Sequence, residues 1–290
     1  MEAPVVWAPG FGHPFRVPDP GLRGRIAFTH SRTGMSRLAQ LPASLRMALA
    51  ERRALKVIAG LTNFDAASVE RISAAAGLGG ADLIDVACDP ELVKLAAAAS
   101  GLPICVSAVD PELFPAAVAA GADLVEIGNY DAFYPLGRRF DAAEVLELTR
   151  RTRALLPQVV LSVTVPHVLA LDEQEQLAVD LVEAGADIIQ TEGGTSAKPF
   201  SPGSLGLIEK AAPTLAAAHS ISRALAAANH AVPVLCASGL SAVTLPLAIA
   251  AGAAGVGVGS AVNKLEDPLA MLAVVRSLRE ALGSGVAVSA

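Results

Sequence analysis

Lys56, Asp85 and Glu126 each fall inside a short apolar run, Leu55–Gly60, Asp82–Ala87 and Asp123–Gly128. A charged side chain there cannot face an apolar helix layer unpaired, because burying it that way costs several kcal/mol. A group of one cation and two carboxylates has two uses. The acids can transfer protons while Lys56 holds an anionic substrate or forms a Schiff base. Alternatively, the three form an ion-pair network that fixes strand register without chemistry. The imine is the weaker branch, since it needs a neutral lysine and two neighbouring acids oppose that.

A second kind of chemistry is written near the C-terminus. The stretches Ala237-Ser238-Gly239-Leu240-Ser241 and Gly257-Val258-Gly259-Ser260-Ala261 each close an apolar run with glycine. Glycine lets the backbone come close to a ligand, so Gly239, Leu240, Gly259 and Ser260 are candidates to hold a phosphate on N–H groups and a hydroxyl. Tight helix–strand packing is the plainer reading. Other polar residues at run ends are Ser107, His167, Gln190 and Glu192 as substrate contacts, with Lys198 on a loop, 193–203, that reads as a mobile lid. Tyr130 and Tyr134 are candidates to line the entrance. Cys88, Cys105 and Cys236 read as reduced thiols, and Cys88 and Cys236 as small core fillers. With no second His or paired Cys at ligand spacing, no metal site is expected.

These residues need a scaffold. Five further β-rich runs are Pro103–Ala108, Val159–Pro166, Asp187–Gly193, Val232–Gly239 and Gly255–Val262. Amphipathic segments alternate with the eight runs, beginning at caps such as Asp65, Asp89, Asp110, Asp172 and Asp267. Gly80-Ala81-Asp82, Gly121-Ala122-Asp123 and Gly185-Ala186-Asp187 repeat one junction, with Gly252-Ala253-Ala254 as a variant. Eight strands alternating with helices demand right-handed crossovers and a parallel sheet, and a (β/α)8 TIM barrel closes it; an open doubly wound sheet is the rival. Three residues on from each repeated Asp lie Asp85, Glu126 and Gln190, and the variant leads to Gly257. Alternate strands supply one interior layer, so these four should share it, with Gly257 leaving a gap.

Composition narrows the partners. Apolar residues make up 53% and charged residues 17%, enough for a large core. Residues 1–53 carry eight Arg against three acids, a balance of +5, whereas residues 54–290 balance to −11. An acidic body argues against nucleic acid as partner. The head, residues 1–44, is rich in Pro, Gly and Arg and reads as a poorly ordered extension, with the barrel over 45–290. No run reaches membrane-spanning length, and Met1-Glu2 does not open a signal peptide. Oligomeric state is not legible.

From about residue 45 onward the chain resembles a known family. The stretches Lys56-Val57-Ile58-Ala59-Gly60-Leu61-Thr62-Asn63-Phe64, Val163-Thr164-Val165-Pro166-His167 and Ile189-Gln190-Thr191-Glu192-Gly193 carry the likeness, with Ala237-Ser238-Gly239-Leu240 completing it. The family is that of hypothetical chloroplast open reading frame twenty-three, of plastid and cyanobacterial genomes. The resemblance implies a ribulose-phosphate-binding type of barrel and a phototroph, so a cytoplasmic protein of cyanobacterial type or a chloroplast stromal one. It implies no reaction and lends no catalytic residues. Three functions stay open. One is an acid–base enzyme (isomerase, epimerase, lyase or synthase) acting on a phosphorylated small molecule and needing no cofactor. Another is a non-catalytic ligand-binding or regulatory barrel. The third is an FMN-dependent oxidoreductase, since Gln190-Thr191-Glu192-Gly193-Gly194 distantly resembles such enzymes.

Overall fold

The computed structural model describes residues 36–193 and 197–283. Eight parallel strands close into a barrel in sequence order, β1 pairing with both β2 and β8. They are β1 (Ala54–Gly60), β2 (Leu83–Ala87), β3 (Ile104–Ala108), β4 (Leu124–Ile127), β5 (Val160–Thr164), β6 (Ile188–Gln190), β7 (Val234–Ala237) and β8 (Gly255–Val258). Around them run α2 (Ala66–Gly79), α3 (Pro90–Ser100), α4 (Phe114–Ala119), α5 (Ala142–Leu155), α6 (Leu171–Glu183), α7 (Gly203–Ala227), α8 (Leu245–Ala250) and α10 (Pro268–Gly283). Strand residues such as Leu55, Ile84, Val106 and Val125 face these helices and are fully buried, as expected of strands covered on both faces.

The repeated Gly-Ala-Asp junction has a physical job. Gly80, Gly121 and Gly185 adopt positive φ where a helix or helical turn ends. The following aspartates then accept from amides at the start of the preceding strands: Asp82 from Leu55 N–H (2.8 Å), Asp123 from Ile104 N–H (2.8 Å) and Asp187 from Leu161 N–H (3.0 Å). Each carboxylate thereby satisfies a strand-end donor at the barrel floor.

The floor itself is closed by a helix, α1 (Ala43–Ala50), whose Leu45, Ala48 and Leu49 pack with Leu41 onto Leu83, Leu124, Val160, Ile188 and Leu235. Residues 36–44, placed above in the poorly ordered extension, therefore belong to this plug. Leu41 is 2% exposed, and Arg37 pairs with Asp187 at 2.9 Å. Apolar burial decides the matter over the local Pro and Arg content. The expectation of disorder for the rest of the head, 1–35, lies outside the described residues.

Two local expectations are corrected. Asp172 does not cap α6; the N-cap is Ala170, whose amide donates to the Glu173 carboxylate at 3.0 Å. The last β-run ends at Val258, and Ser260–Asn263 turns into a short helix, α9, because Gly259 breaks the extended backbone (φ −107°, ψ −83°).

Candidate functional site

The register of the strands gathers the interior charges. Lys56 Nζ lies 2.6 Å from Glu126 Oε2 and 3.6 Å from Asp85 Oδ2. Ser107 donates to Asp85 Oδ1 (2.6 Å) and Ser162 to Glu126 Oε2 (2.7 Å). The Gln190 amide donates to Glu126 Oε1 (2.7 Å) and to Thr164 (3.2 Å). None of these side chains is more than 1% exposed. Gly257 pairs opposite Lys56, and a Cβ on it would press on Ala237 (2.9 Å), Ile58 (3.2 Å) and Gln190 Oε1 (3.4 Å). The missing Cβ foreseen in this layer thus chiefly lets Ala237 and Ile58 pack close.

Burial alone would lower the Lys56 ammonium, but the charges of Glu126 and Asp85 outweigh it and hold the pKa above its ordinary value. A raised pKa favours the charged ammonium, so the imine stays the weaker branch. The Asp85 carboxyl is raised as well, here with burial as the deciding cause. Burial, opposed by Lys56 and reinforced by Glu126, pushes its carboxyl up to about 6.

Over this group lies a cavity at the C-terminal mouth, lined on one side by Gly239, Leu240, Gly259 and Ser260 and on the other by Asn129, Asp131, Thr191 and Glu192. Both glycine stretches after β7 and β8 thus reach one cavity. Ser238 and Gly239 are consecutive left-handed residues (φ 76° and 72°). For serine that conformation is strained, and such strain persists where the surroundings enforce it. Gly259 is less crowded: a Cβ there meets only ordinary contacts at 3.5–3.7 Å, so any need for glycine comes from the cavity side.

Lys56, Asp85 and Glu126 do not line this cavity. Asn129 separates them from it, its amide donating to Asp85 Oδ2 (3.2 Å), Ser107 Oγ (3.0 Å) and Glu126 Oε1 (3.3 Å). Asn129 is left-handed (φ 63°), a conformation asparagine tolerates better than most residues. Among the described residues, it is the one side chain that both hydrogen-bonds the buried charges and lines the cavity. Sequence reasoning passed it over, although its place just after Glu126-Ile127-Gly128 at the end of β4 was a usable signal.

A second polar group stands at the ends of β4, β5 and β6. His167 Nδ1 lies 3.1 Å from Glu192 Oε1 and 3.7 Å from Asp131 Oδ1. The His167 backbone amide (3.2 Å) and the Tyr134 hydroxyl also donate to Glu192 Oε1. Burial raises the Glu192 carboxyl, against hydrogen bonds from His167 and Tyr134. Burial opposes the His167 imidazolium, yet its hydrogen bond to Glu192 and the nearby acids leave its pKa raised. Ser238 donates to Asp131 Oδ2 (3.3 Å), tying this group to the loop after β7.

Other expectations are settled by placement. Lys198 is exposed and does not line the cavity; the reading of 193–203 as a lid falls partly on residues 194–196, outside those described. Tyr130 is not at the entrance but fully buried, stacked 4.5 Å from Phe140, while Tyr134 does reach Glu192. The expectation of no metal site rested on His and Cys spacing along the chain, and it missed that folding brings Asp131, His167 and Glu192 within ligand distance of one another. Cys88, Cys105 and Cys236 are free and buried. No helix among the described residues is long and apolar enough to cross a membrane.

Comparison with known proteins places the chain. A family model described as "Protein of unknown function (DUF561)" matches residues 41–287. A Cyanophora paradoxa protein named "Uncharacterized protein ycf23" is 42% identical over 79% of this chain and 93% of its own length. One of the same name from Pyropia yezoensis is 34% identical over 80% and 83%. Among solved structures, thiamine phosphate pyrophosphorylase from Pyrococcus furiosus aligns with a TM-score of 0.52 at 18% identity, over 82% of this chain and 99% of that one. (S)-3-O-geranylgeranylglyceryl phosphate synthase from Thermoplasma acidophilum, in complex with sn-glycerol-1-phosphate, aligns at 0.53 and 13%, over 83% and 99%. Identity this low speaks for the fold alone.

Proposed function

Since the chain belongs to the DUF561 family, whose description names no reaction, we propose from the site itself that it binds a phosphorylated small molecule at the barrel mouth and acts on it by acid–base chemistry. One observation carries the reading: one cavity is lined by Gly239, Leu240, Gly259 and Ser260 together with Asn129, Asp131 and Glu192. Glycine-rich ends of the last two strands are where barrels of this architecture place phosphates. The same fold is used by proteins named for phosphorylated compounds.

In this reading the phosphate rests on the amides of Gly239, Leu240, Gly259 and Ser260. Asp85, near 6, exchanges the proton, and Lys56, held charged, steadies the negative charge that develops. Because Asn129 lies between them and the ligand, its amide must swing aside or pass the effect on through its own N–H. The reaction is then an isomerisation, epimerisation, lyase or synthase step, with Ser107, Gln190, Glu192 and His167 shaping the polar wall.

The full burial of Lys56, Asp85 and Glu126 favours one competing reading. The three would fix barrel register and the cavity would bind its ligand without chemistry. Thermal-shift measurements with sugar phosphates, nucleotides and FMN, beside their dephosphorylated forms, test the binding claim. A ligand at a hundred times its Kd adds roughly 2.7 kcal/mol, and Gly259→Asp should abolish the shift. No shift from any phosphorylated compound would refute it. Where a ligand is found, Asn129→Ala separates the two readings. It should change turnover if the buried charges act, and leave only binding to measure if they do not.

A further inference from the structure

We propose that Asp131, His167 and Glu192 form a binding centre for a divalent first-row transition-metal ion at the wall of the mouth cavity. Three strand ends contribute one residue each. Asp131 lies in the turn Tyr130–Ala132 after β4, His167 follows β5 and Glu192 follows β6. One donor atom from each falls within 4.8 Å of the other two. The imidazole Nδ1 lies 3.1 Å from one carboxylate and 3.7 Å from the other. An ion about 2.1 Å from each donor sets neighbouring donors roughly 3.0–3.4 Å apart, so closing on it needs only small side-chain shifts.

A second observation points to a ligand. Glu192 is 4% exposed, and its Oε2 is buried without a hydrogen-bond partner, while Oε1 takes Tyr134 and His167. A buried carboxylate oxygen left without a partner carries a desolvation cost that a bound ion would relieve. Both Asp131 and Glu192 line the cavity, so an ion there would keep coordination positions open to the cavity, as catalytic rather than structural sites do. Outer partners that orient ligands are in place too: Ser238 donates to Asp131 Oδ2 and Tyr134 to Glu192 Oε1.

The donor chemistry selects the ion. One imidazole with two carboxylates suits Zn²⁺, Fe²⁺, Mn²⁺ or Co²⁺ and is a poor set for Ca²⁺ or Mg²⁺, which take oxygen. The bound ion sits in the same cavity as the glycine stretches and offers its open positions to oxygens of the phosphorylated ligand. The centre does not depend on that ligand, and the two claims fail separately. Metal is titrated with no phosphate compound present, and phosphate stabilisation is measured in chelator.

The test uses the full chain stripped with EDTA and titrated with Zn²⁺ by calorimetry, and with Co²⁺ by visible absorption. One Zn²⁺ per chain is expected, with affinity reduced at least tenfold in Asp131→Asn and in His167→Gln, and with cobalt bands that change on loss of the nitrogen ligand. Asp131→Asn, isosteric and only half-buried, keeps the test alive if the His167 variant does not fold. No stoichiometric binding to the folded wild-type chain overturns the proposal. Stoichiometric binding with unchanged affinity in a folded Asp131→Asn protein overturns it as well.

Discussion

Replacing Asp85 by Asn should make the protein gain stability, relative to the wild type, as the pH rises from about 4 to about 7. Burial lifts the Asp85 carboxyl from 3.8 to about 6, so the folded state holds this proton more tightly than the unfolded one. The contribution is fully present below the unfolded pKa and is lost as pH rises through the folded one. A rise of that size is worth about 3 kcal/mol, which in a domain this large is roughly 6–12 °C in Tm. The asparagine side chain cannot titrate. It carries a different cost, about 1–3 kcal/mol, because its NH₂ faces donors from Ser107 or Asn129 where a carboxylate accepted both. That cost is set by hydrogen-bond geometry, and Lys56 stays charged throughout. The difference in unfolding free energy between variant and wild type, measured by denaturant titration across the window, should therefore climb by about 3 kcal/mol and level off above about pH 6. A flat or falling difference would refute the assignment of a proton-holding group at the base of the site.

Lys56→Met should cost about 3–5 kcal/mol by chemical denaturation, because it strands two buried carboxylates, and replacing all three charges by apolar residues of similar size should recover much of it. Gly128→Ala should destabilise by about 1–3 kcal/mol, since φ is +155° and a Cβ would fall inside the Thr164 side chain; no loss would mean that the β4–β5 end is loosely packed. Gly259→Asp should leave Tm without ligand within a few degrees of wild type, because the protein leaves room for a Cβ at 3.5–3.7 Å, while removing phosphate protection. A large fall in that Tm would mean that Gly259 serves packing.

The barrel was legible because its pattern is local and repeated. Each Gly-Ala-Asp junction ends one helical segment and opens one strand, and counting three residues on from each Asp found Asp85, Glu126 and Gln190 in one layer. Lys56 was legible for the converse reason, as a lone cation in an apolar run. The rest failed where long-range packing outweighs local composition. Residues 36–44 look like a continuation of a basic head, yet Leu41 and Leu45 find an apolar floor that strands distant in sequence assemble. The group of Asp131, His167 and Glu192 was missed because its members lie about 25 residues or more apart, and only the closure of the barrel brings the ends of β4, β5 and β6 together. Asn129, the link between buried charge and open cavity, has no periodicity to betray it.

The most direct measurement is a crystal structure of the chain grown with a sugar phosphate found by thermal shift. The account predicts phosphorus density within hydrogen-bond distance of the Gly239 or Leu240 amide and of the Gly259 or Ser260 amide, with the sugar directed toward Asn129. A phosphate bound elsewhere while these amides face only solvent would contradict it.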